Sequence, residues 1–331
     1  MKDINEEKKV PVMLLFFNRP DCLRQVFDAI KKYQPRQLFL VQDGARVNHP
    51  DDQKNIKECR KIVEEISWEC EVYKNYSNTN MGCDYREFTG IDWCFEHVNK
   101  LIILEDDCVP TMSFFNLCAE CLELYKNNST IHSISGFNRL GTYSNNTNED
   151  YVFSMTCAGI GWATWKRTWN LVKANQNLDF LNDRTCIQNI KRSIDKNSKM
   201  VFGDIIKKMI NVRENDIKNG HVTSWETLVG FVLLAYHMLA ITPKKNLIKY
   251  IGISENATHS YSDPRLLLGR VSKTLLQPEH ELNMPISHPR FVIRDLAFEK
   301  LSSKTMKSVP IIDNVEVCIR KLFFSRKKKK Q

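Results

Sequence analysis

The sequence predicts an α/β fold: a mostly parallel sheet with flanking helices and a smaller α+β lobe. Short apolar runs alternate with helical periodicity over the first hundred residues, and several of these runs end abruptly in polar, chemistry-bearing residues. After residue 107 that rhythm gives way to an irregular mixture, which places the second lobe there.

Val10 to Phe17 is an apolar run that stops at Asn18-Arg19-Pro20, and Pro20 with Asp21 opens a helix carried by Leu23, Val26, Phe27 and Ile30. Leu38 to Val41 makes a second strand ending in Gln42-Asp43-Gly44, followed by a helix with Ile56, Cys59, Ile62, Val63 and Ile66 inward. Cys70 to Tyr73 supplies a third strand, and a helix near Glu87 to Val98 leads to a fourth, Leu101 to Leu104. That strand runs straight into Glu105-Asp106-Asp107. Then come a helix from about Ser113 to Tyr125, a strand at Ile131 to Ser135, and a polar stretch to Asp150. A glycine- and tryptophan-rich segment covers 157–169, charged helices 180–220, and an apolar helix Trp225 to Leu239. A strand at Asn246 to Ile251 and a proline-punctuated loop from Asp263 to Pro289 complete the pattern. The organisation is a βα half at 10–137, a second half of the same domain at 138–300, and a basic tail at 301–331.

The 331 residues are 42% hydrophobic and 26% charged, ordinary for a folded chain, and no window approaches the roughly 18 apolar residues of a membrane span. The charged opening lacks the apolar stretch of a signal peptide, so the expected compartment is the cytoplasm. Eleven cysteines without paired metal spacing fit that reducing setting, and Cys118 and Cys121 read as helix thiols. The net charge of +9 is concentrated in Arg326-Lys327-Lys328-Lys329-Lys330, after Leu322-Phe323-Phe324. Such a tail is either solvated or held on an anionic membrane, here the inner face, at about 1 kcal/mol per charge. No nucleic-acid module accompanies it, which argues against a nucleic-acid partner.

Three carboxylates at the end of a buried strand are oxygen donors of the kind that hold Mn²⁺ or Mg²⁺, completed by water and the phosphates of a nucleotide diphosphate. The plainer alternative is a solvated acidic turn. In a parallel sheet, Asn18-Arg19 and Asp43 fall on the same rim. Arg19 can pair with diphosphate oxygens or form a surface ion pair; Asp43 can accept from a base or ribose or simply form the turn before Gly44. The chain has no glycine-rich dinucleotide loop and no P-loop after its first strand. The missing glycine-rich turn also weighs against a sugar-phosphate nucleotidylyltransferase.

Phe17-Asn18-Arg19-Pro20, Gln42-Asp43-Gly44, Asn80-Met81-Gly82-Cys83, Ile103-Leu104-Glu105-Asp106-Asp107-Cys108 and Gly159-Ile160-Gly161-Trp162-Ala163-Thr164-Trp165 together resemble bacterial GT-A glycosyltransferases. More distantly they are similar to the N-acetylglucosaminyltransferase I type. The resemblance spans roughly residues 10 to 260. It implies a GT-A-like fold and metal-dependent transfer of a sugar, with inversion, in surface polysaccharide synthesis. The donor would be a nucleotide-diphosphate sugar, UDP-linked among the candidates, and the acceptor a glycan or lipid-linked saccharide.

By the same resemblance Asp107 is the direct Mn²⁺ ligand, Glu105 and Asp106 support metal and sugar nucleotide, and Asn18, Arg19, Asp43 and Gly82 hold the nucleotide. Glu226, in Thr223-Ser224-Trp225-Glu226, is either the catalytic base or a carboxylate favoured by a helix N-terminus. His259 either returns to the diphosphate or metal or is structural. Gly159, Gly161, Trp162 and Trp165 would form the floor of a sugar pocket. A non-catalytic glycan-binding protein on this scaffold, and a nucleotidylyltransferase, are the competing readings.

Overall fold

The computed structural model describes residues 9–155, 158–193, 205–253 and 269–306. Its first part is the expected alternation: β1 (Val12–Phe16), α1 (Pro20–Tyr33), β2 (Gln37–Gln42), α2 (Pro50–Val63), β3 (Glu71–Tyr76), α3 (Cys83–His97) and β4 (Lys100–Glu105). All five residues of β1 are buried, as a strand covered on both faces requires. Pro20 at the first position of α1 sets the helical φ at no hydrogen-bond cost. The helix then buries Leu23, Val26, Phe27, Ile30 and Tyr33 on one stripe, each side chain contributing about 1.5–3 kcal/mol. Tyr33 stacks on Phe115 with centroids 4.0 Å apart, and its hydroxyl accepts from the Val10 amide at 2.7 Å.

The second part contains β5 (Cys108–Pro110), α4 (Met112–Leu124), β6 (Ile131–Ser135), β7 (Tyr151–Ser154), β8 (Trp162–Trp165), α5 (Lys166–Ala174) and α6 (Arg184–Ser193). It continues with α7 (Ile205–Asn219), α8 (Trp225–Ala235), β9 (Leu239–Pro243), β10 (Ile248–Tyr250), α9 (Gly269–Leu275) and α10 (Leu296–Met306). Eight strands form one sheet in the order β3-β2-β1-β4-β8-β6-β9-β7, while β10 and β5 pair separately. The β1/β2, β1/β4, β2/β3 and β6/β9 pairs are parallel; β4/β8, β6/β8 and β7/β9 are antiparallel. The predicted mixed, mostly parallel α/β sheet is therefore the observed one.

Two local expectations change and a third holds. The helix predicted to reach Leu239 stops at Ala235, because His237 adopts a left-handed φ of 55° and turns the chain into β9. An unbroken apolar run hid a helix, a turn and a strand, which periodicity alone does not separate. The glycine–tryptophan segment contains a strand: Trp162–Trp165 is β8, fully buried between β4 and β6. The loop after α9 does wrap back, with Glu281 accepting from the Met112 and Ser113 amides at the start of α4 at 3.2 and 2.8 Å.

Cys118 and Cys121 are buried core thiols, and the nine described cysteines are all free. Among the described residues no helix is long and apolar enough to cross a membrane. The basic tail and His259 lie outside the described residues.

Candidate active site

The parallel order β2-β1-β4 brings the ends of three strands side by side, with Phe16 opposite Gln42 and Leu15 opposite Glu105. Arg19, Asp43 and the triplet therefore converge on one rim, where ligands of open α/β sheets collect. A small cleft of about 80 Å³ there is lined by Phe17, Arg19, Asp43, Arg46, Gly82, Cys83, Arg86, Glu105 and Asp106.

The triplet turns inward. Asp106 and Asp107 are only 2% and 5% exposed, and Glu105, the last residue of β4, is half-buried. Arg19 holds both aspartates: its Nη2 bonds Asp106 Oδ1 and lies 2.9 Å from Asp107 Oδ2, and the Phe17 amide donates to Asp106 Oδ2 at 3.3 Å. Burial raises the Asp106 carboxyl to about 6, against the opposing pull of the Arg19 guanidinium. The acidic-turn alternative fails, because solvated carboxylates would not be buried on an arginine.

Asp43 is saturated by the protein. Its oxygens accept from the amides of Gly44 (2.8 Å), Met81 (2.8 Å) and Gly82 (3.0 Å) and from Asn80 Nδ2 (3.0 Å). Four donors fill the lone pairs expected to meet a base or ribose, so the carboxylate clamps the loop entering α3. Gly82 sits in that loop at φ 82° and donates its amide to the clamp. Asn18 is likewise spent on α2: its Nδ2 donates to Asp52 Oδ1 at 2.6 Å, and it does not line the cleft.

On the other flank of the triplet lies a group of side chains that the sequence reading missed. Cys83 and Glu87, one turn apart on α3, approach Glu105 so that a ligand atom from each lies within 4.8 Å of the others. Glu87 is 1% exposed and its Oε1 has no hydrogen-bond partner among the described residues. Burial first, and then the neighbouring carboxylates, raise Glu87 and Glu105 well above the usual carboxylate range. The i, i+4 spacing of Cys83 and Glu87 is a visible signal, but it is lost when the helix is started at Glu87.

Glu226 reaches this group from the second half. It stands exposed in the first turn of α8, and its charge acts on both Glu87 and Glu105. It faces Gly159, where a Cβ would come 3.3 Å from Glu226 Oε1. Beside it a cavity of about 430 Å³ is lined by Trp162, Trp225, Gly159, Arg139 and His132. The Trp162 and Trp225 rings stack at 5.8 Å and 13°, and the buried Trp162 Nε1 has no partner among the described residues. Trp162 and Gly159 line this cavity. Gly161 and Trp165 do not: a Cβ on Gly161 would strike Ile248 at 2.7 Å, and Trp165 Nε1 donates to the Leu122 carbonyl in the core.

The β5/β10 pair closes the rim. Ile251 donates its amide to the Asp107 carbonyl at 2.9 Å, and a Cβ on Gly252 would lie 2.2 Å from Asp107 Oδ2. Only glycine allows the strap to pass so close. Among the described residues the grouping whose donors suit a divalent cation is Cys83, Glu87 and Glu105, with a buried Glu87 oxygen that lacks a partner, whereas Asp107 lies outside it and is ion-paired with Arg19.

No protein-family profile and no curated protein matches the chain. Among solved structures it is similar to 4-diphosphocytidyl-2C-methyl-D-erythritol synthase from Anaerococcus prevotii, with 11% identity and a TM-score of 0.30 over 51% of this chain and 76% of that one. It is also similar to UDP-glucose pyrophosphorylase, both in complex with UDP-glucose (8% identity, TM-score 0.34, 72% of this chain, 92% of that one) and without ligand (8%, 0.35, 72% and 93%). These are nucleotidyltransferases, and none of the three is of the N-acetylglucosaminyltransferase I type. Likeness at this level carries no argument about what the chain does.

Proposed function

We propose that the protein is a metal-dependent glycosyltransferase acting on a nucleotide-diphosphate sugar. The observation that supports this most is that Glu226, from the second half, lines the tryptophan-lined cavity while its charge acts on the strand-end Glu105. The small cleft on the Arg19 side of the rim suits a diphosphate, which would compete with Asp52 for the exposed Arg46 guanidinium. The Trp162–Trp225 pair suits a sugar face, with Trp162 Nε1 offering a donor to a sugar oxygen.

In this reading Glu226 takes the proton of an acceptor hydroxyl as that oxygen attacks the anomeric carbon. The bond from that carbon to the diphosphate breaks, and the nucleoside diphosphate leaves with the electron pair. A Mn²⁺ or Mg²⁺ ion held by Asp107, with Glu105 and Asp106 beside it, would neutralise charge on the leaving group. Arg19 fixes the direction of both aspartates. The acceptor would be a glycan or lipid-linked saccharide.

Nucleotidyl transfer is the second reading, since a carboxylate-lined cleft at the strand ends that held a divalent cation would serve it as well. Against it, only Phe17-Asn18-Arg19 separates β1 from α1, so no glycine-rich turn wraps phosphates there. One assay separates the readings: incubation with a panel of nucleotide sugars, with Mn²⁺ and with or without pyrophosphate. Glycosyl transfer releases nucleoside diphosphate without pyrophosphate and loses about 10²–10⁴-fold in rate on Glu226→Gln. Nucleotidyl transfer yields nucleoside triphosphate only when pyrophosphate is added. Neither product from a folded protein would leave the glycan-binding reading.

A further inference from the structure

The rim has two unlike flanks. Arg19 neutralises Asp106 and Asp107 on one; on the other, the buried Glu87 faces Glu105 with an oxygen that no described residue satisfies. A carboxylate removed from water is costly unless a hydrogen bond or a cation compensates. Beyond Glu105, the charges that act on Glu87 are those of Asp84, Asp107 and Glu226, all of the same sign. Nothing in that set relieves it.

The third member is a thiol. Cys83 is half-buried one turn before Glu87, so α3 presents sulfur and carboxylate on a single face toward the end of β4. The Cys83 Sγ and one oxygen each of Glu87 and Glu105 lie within 4.8 Å of one another. Ligand atoms about 2.0–2.3 Å from one tetrahedral ion stand about 3.3–3.8 Å apart, so the three side chains would draw together on binding.

We propose that Cys83, Glu87 and Glu105 bind a borderline divalent cation of the Zn²⁺ class, at a site separate from the Asp107 carboxylate. The donor set selects the ion: two carboxylates would accept Mg²⁺ or Mn²⁺, whereas a thiolate favours Zn²⁺ or Co²⁺. Binding displaces the thiol proton to solvent, leaving sulfur and two carboxylates around the ion. Three protein ligands leave a fourth position open, as in catalytic rather than structural zinc sites. The site does not depend on the transfer reading and is read without turnover.

The test is a titration of the chelator-treated full chain with Co²⁺, followed by thiolate-to-cobalt charge-transfer absorption. The expected result is a saturable band that Zn²⁺ bleaches and Mg²⁺ does not. Cys83→Ala abolishes it, and Glu87→Gln weakens Co²⁺ binding by more than the roughly 10–100-fold that loss of an outer partner costs. Asp107→Ala and Cys108→Ala keep the band. Should Cys83→Ala not fold, Cys83→Ser must equally lack it, since serine supplies no sulfur transition. A second measurement is independent of colour: chelator lowers the thermal midpoint of the wild type and leaves that of Glu87→Gln unchanged. Absence of the band in wild type, or a band that survives substitution of Cys83, overturns the proposal.

Discussion

Two sets of buried carboxylates occupy the same end of the sheet and are treated oppositely. Asp43, Asp52 and Asp106 are surrounded by donors: backbone amides for Asp43, Arg46 and Asn18 for Asp52, Arg19 and the Phe17 amide for Asp106. Glu87 and Glu105 crowd each other and Cys83, and Glu87 keeps an oxygen without a partner. Carboxylates that come with their own donors position loops and aim neighbours. Those left without donors are where an external cation gains most.

Moving a residue from the first set to the second should cost most at Arg19. Arg19→Ala leaves Asp106 and Asp107 buried without their cation, and about 3–5 kcal/mol of stability should disappear in urea unfolding. Arg19→Ala combined with Asp106→Asn should recover part of that loss; equal stability of the single and double variants would mean that burial, not pairing, sets the cost. Asp43→Ala comes next. It leaves three loop amides without their acceptor and Asn80 with only the Gly44 carbonyl, at about 1–3 kcal/mol, and hydrogen exchange should rise at Met81 and Gly82. Unchanged exchange there would remove Asp43 from the saturated set.

The smallest effect is at Asp52. Hydrogen bonds from Arg46 hold its carboxyl down at about 2, from an ordinary 3.8. A depressed carboxylate stabilises fully above its unfolded value and loses that contribution as pH falls through the folded one. Because Arg46 is 40% exposed, the pair is worth about 1 kcal/mol or less. The stability gap between wild type and Arg46→Ala should therefore be open at neutral pH and closed near pH 2. A gap that persists in acid would point to packing of Arg46 over the Phe17 ring instead.

Most of the parallel half was readable in the sequence, because each of β1, β2 and β4 is a continuous buried apolar run ended by a polar residue. The rim followed from that: parallel strands put Arg19, Asp43 and the triplet together. What each side chain does was less legible. Asp43 turns out to be claimed by protein donors and Asn18 donates to Asp52 on α2, and both sets of partners are distant in sequence. β8 and β9 escaped because antiparallel insertion and a left-handed turn at His237 depend on tertiary neighbours rather than local period. Glu87 went unnoticed for a different reason: a lone glutamate on a predicted helix is ordinarily solvent-facing, and nothing local shows that this one is buried.

Asp107 and Gly252 touch across the rim yet stand far apart in the chain. Synthesis proceeds from the N-terminus at about 5–20 residues per second, so the triplet emerges roughly 10 s before the strap that braces it. During that interval the acidic edge lies open. The rim is therefore finished late in synthesis, and a chain ending before β10 should be unfinished at the carboxylates.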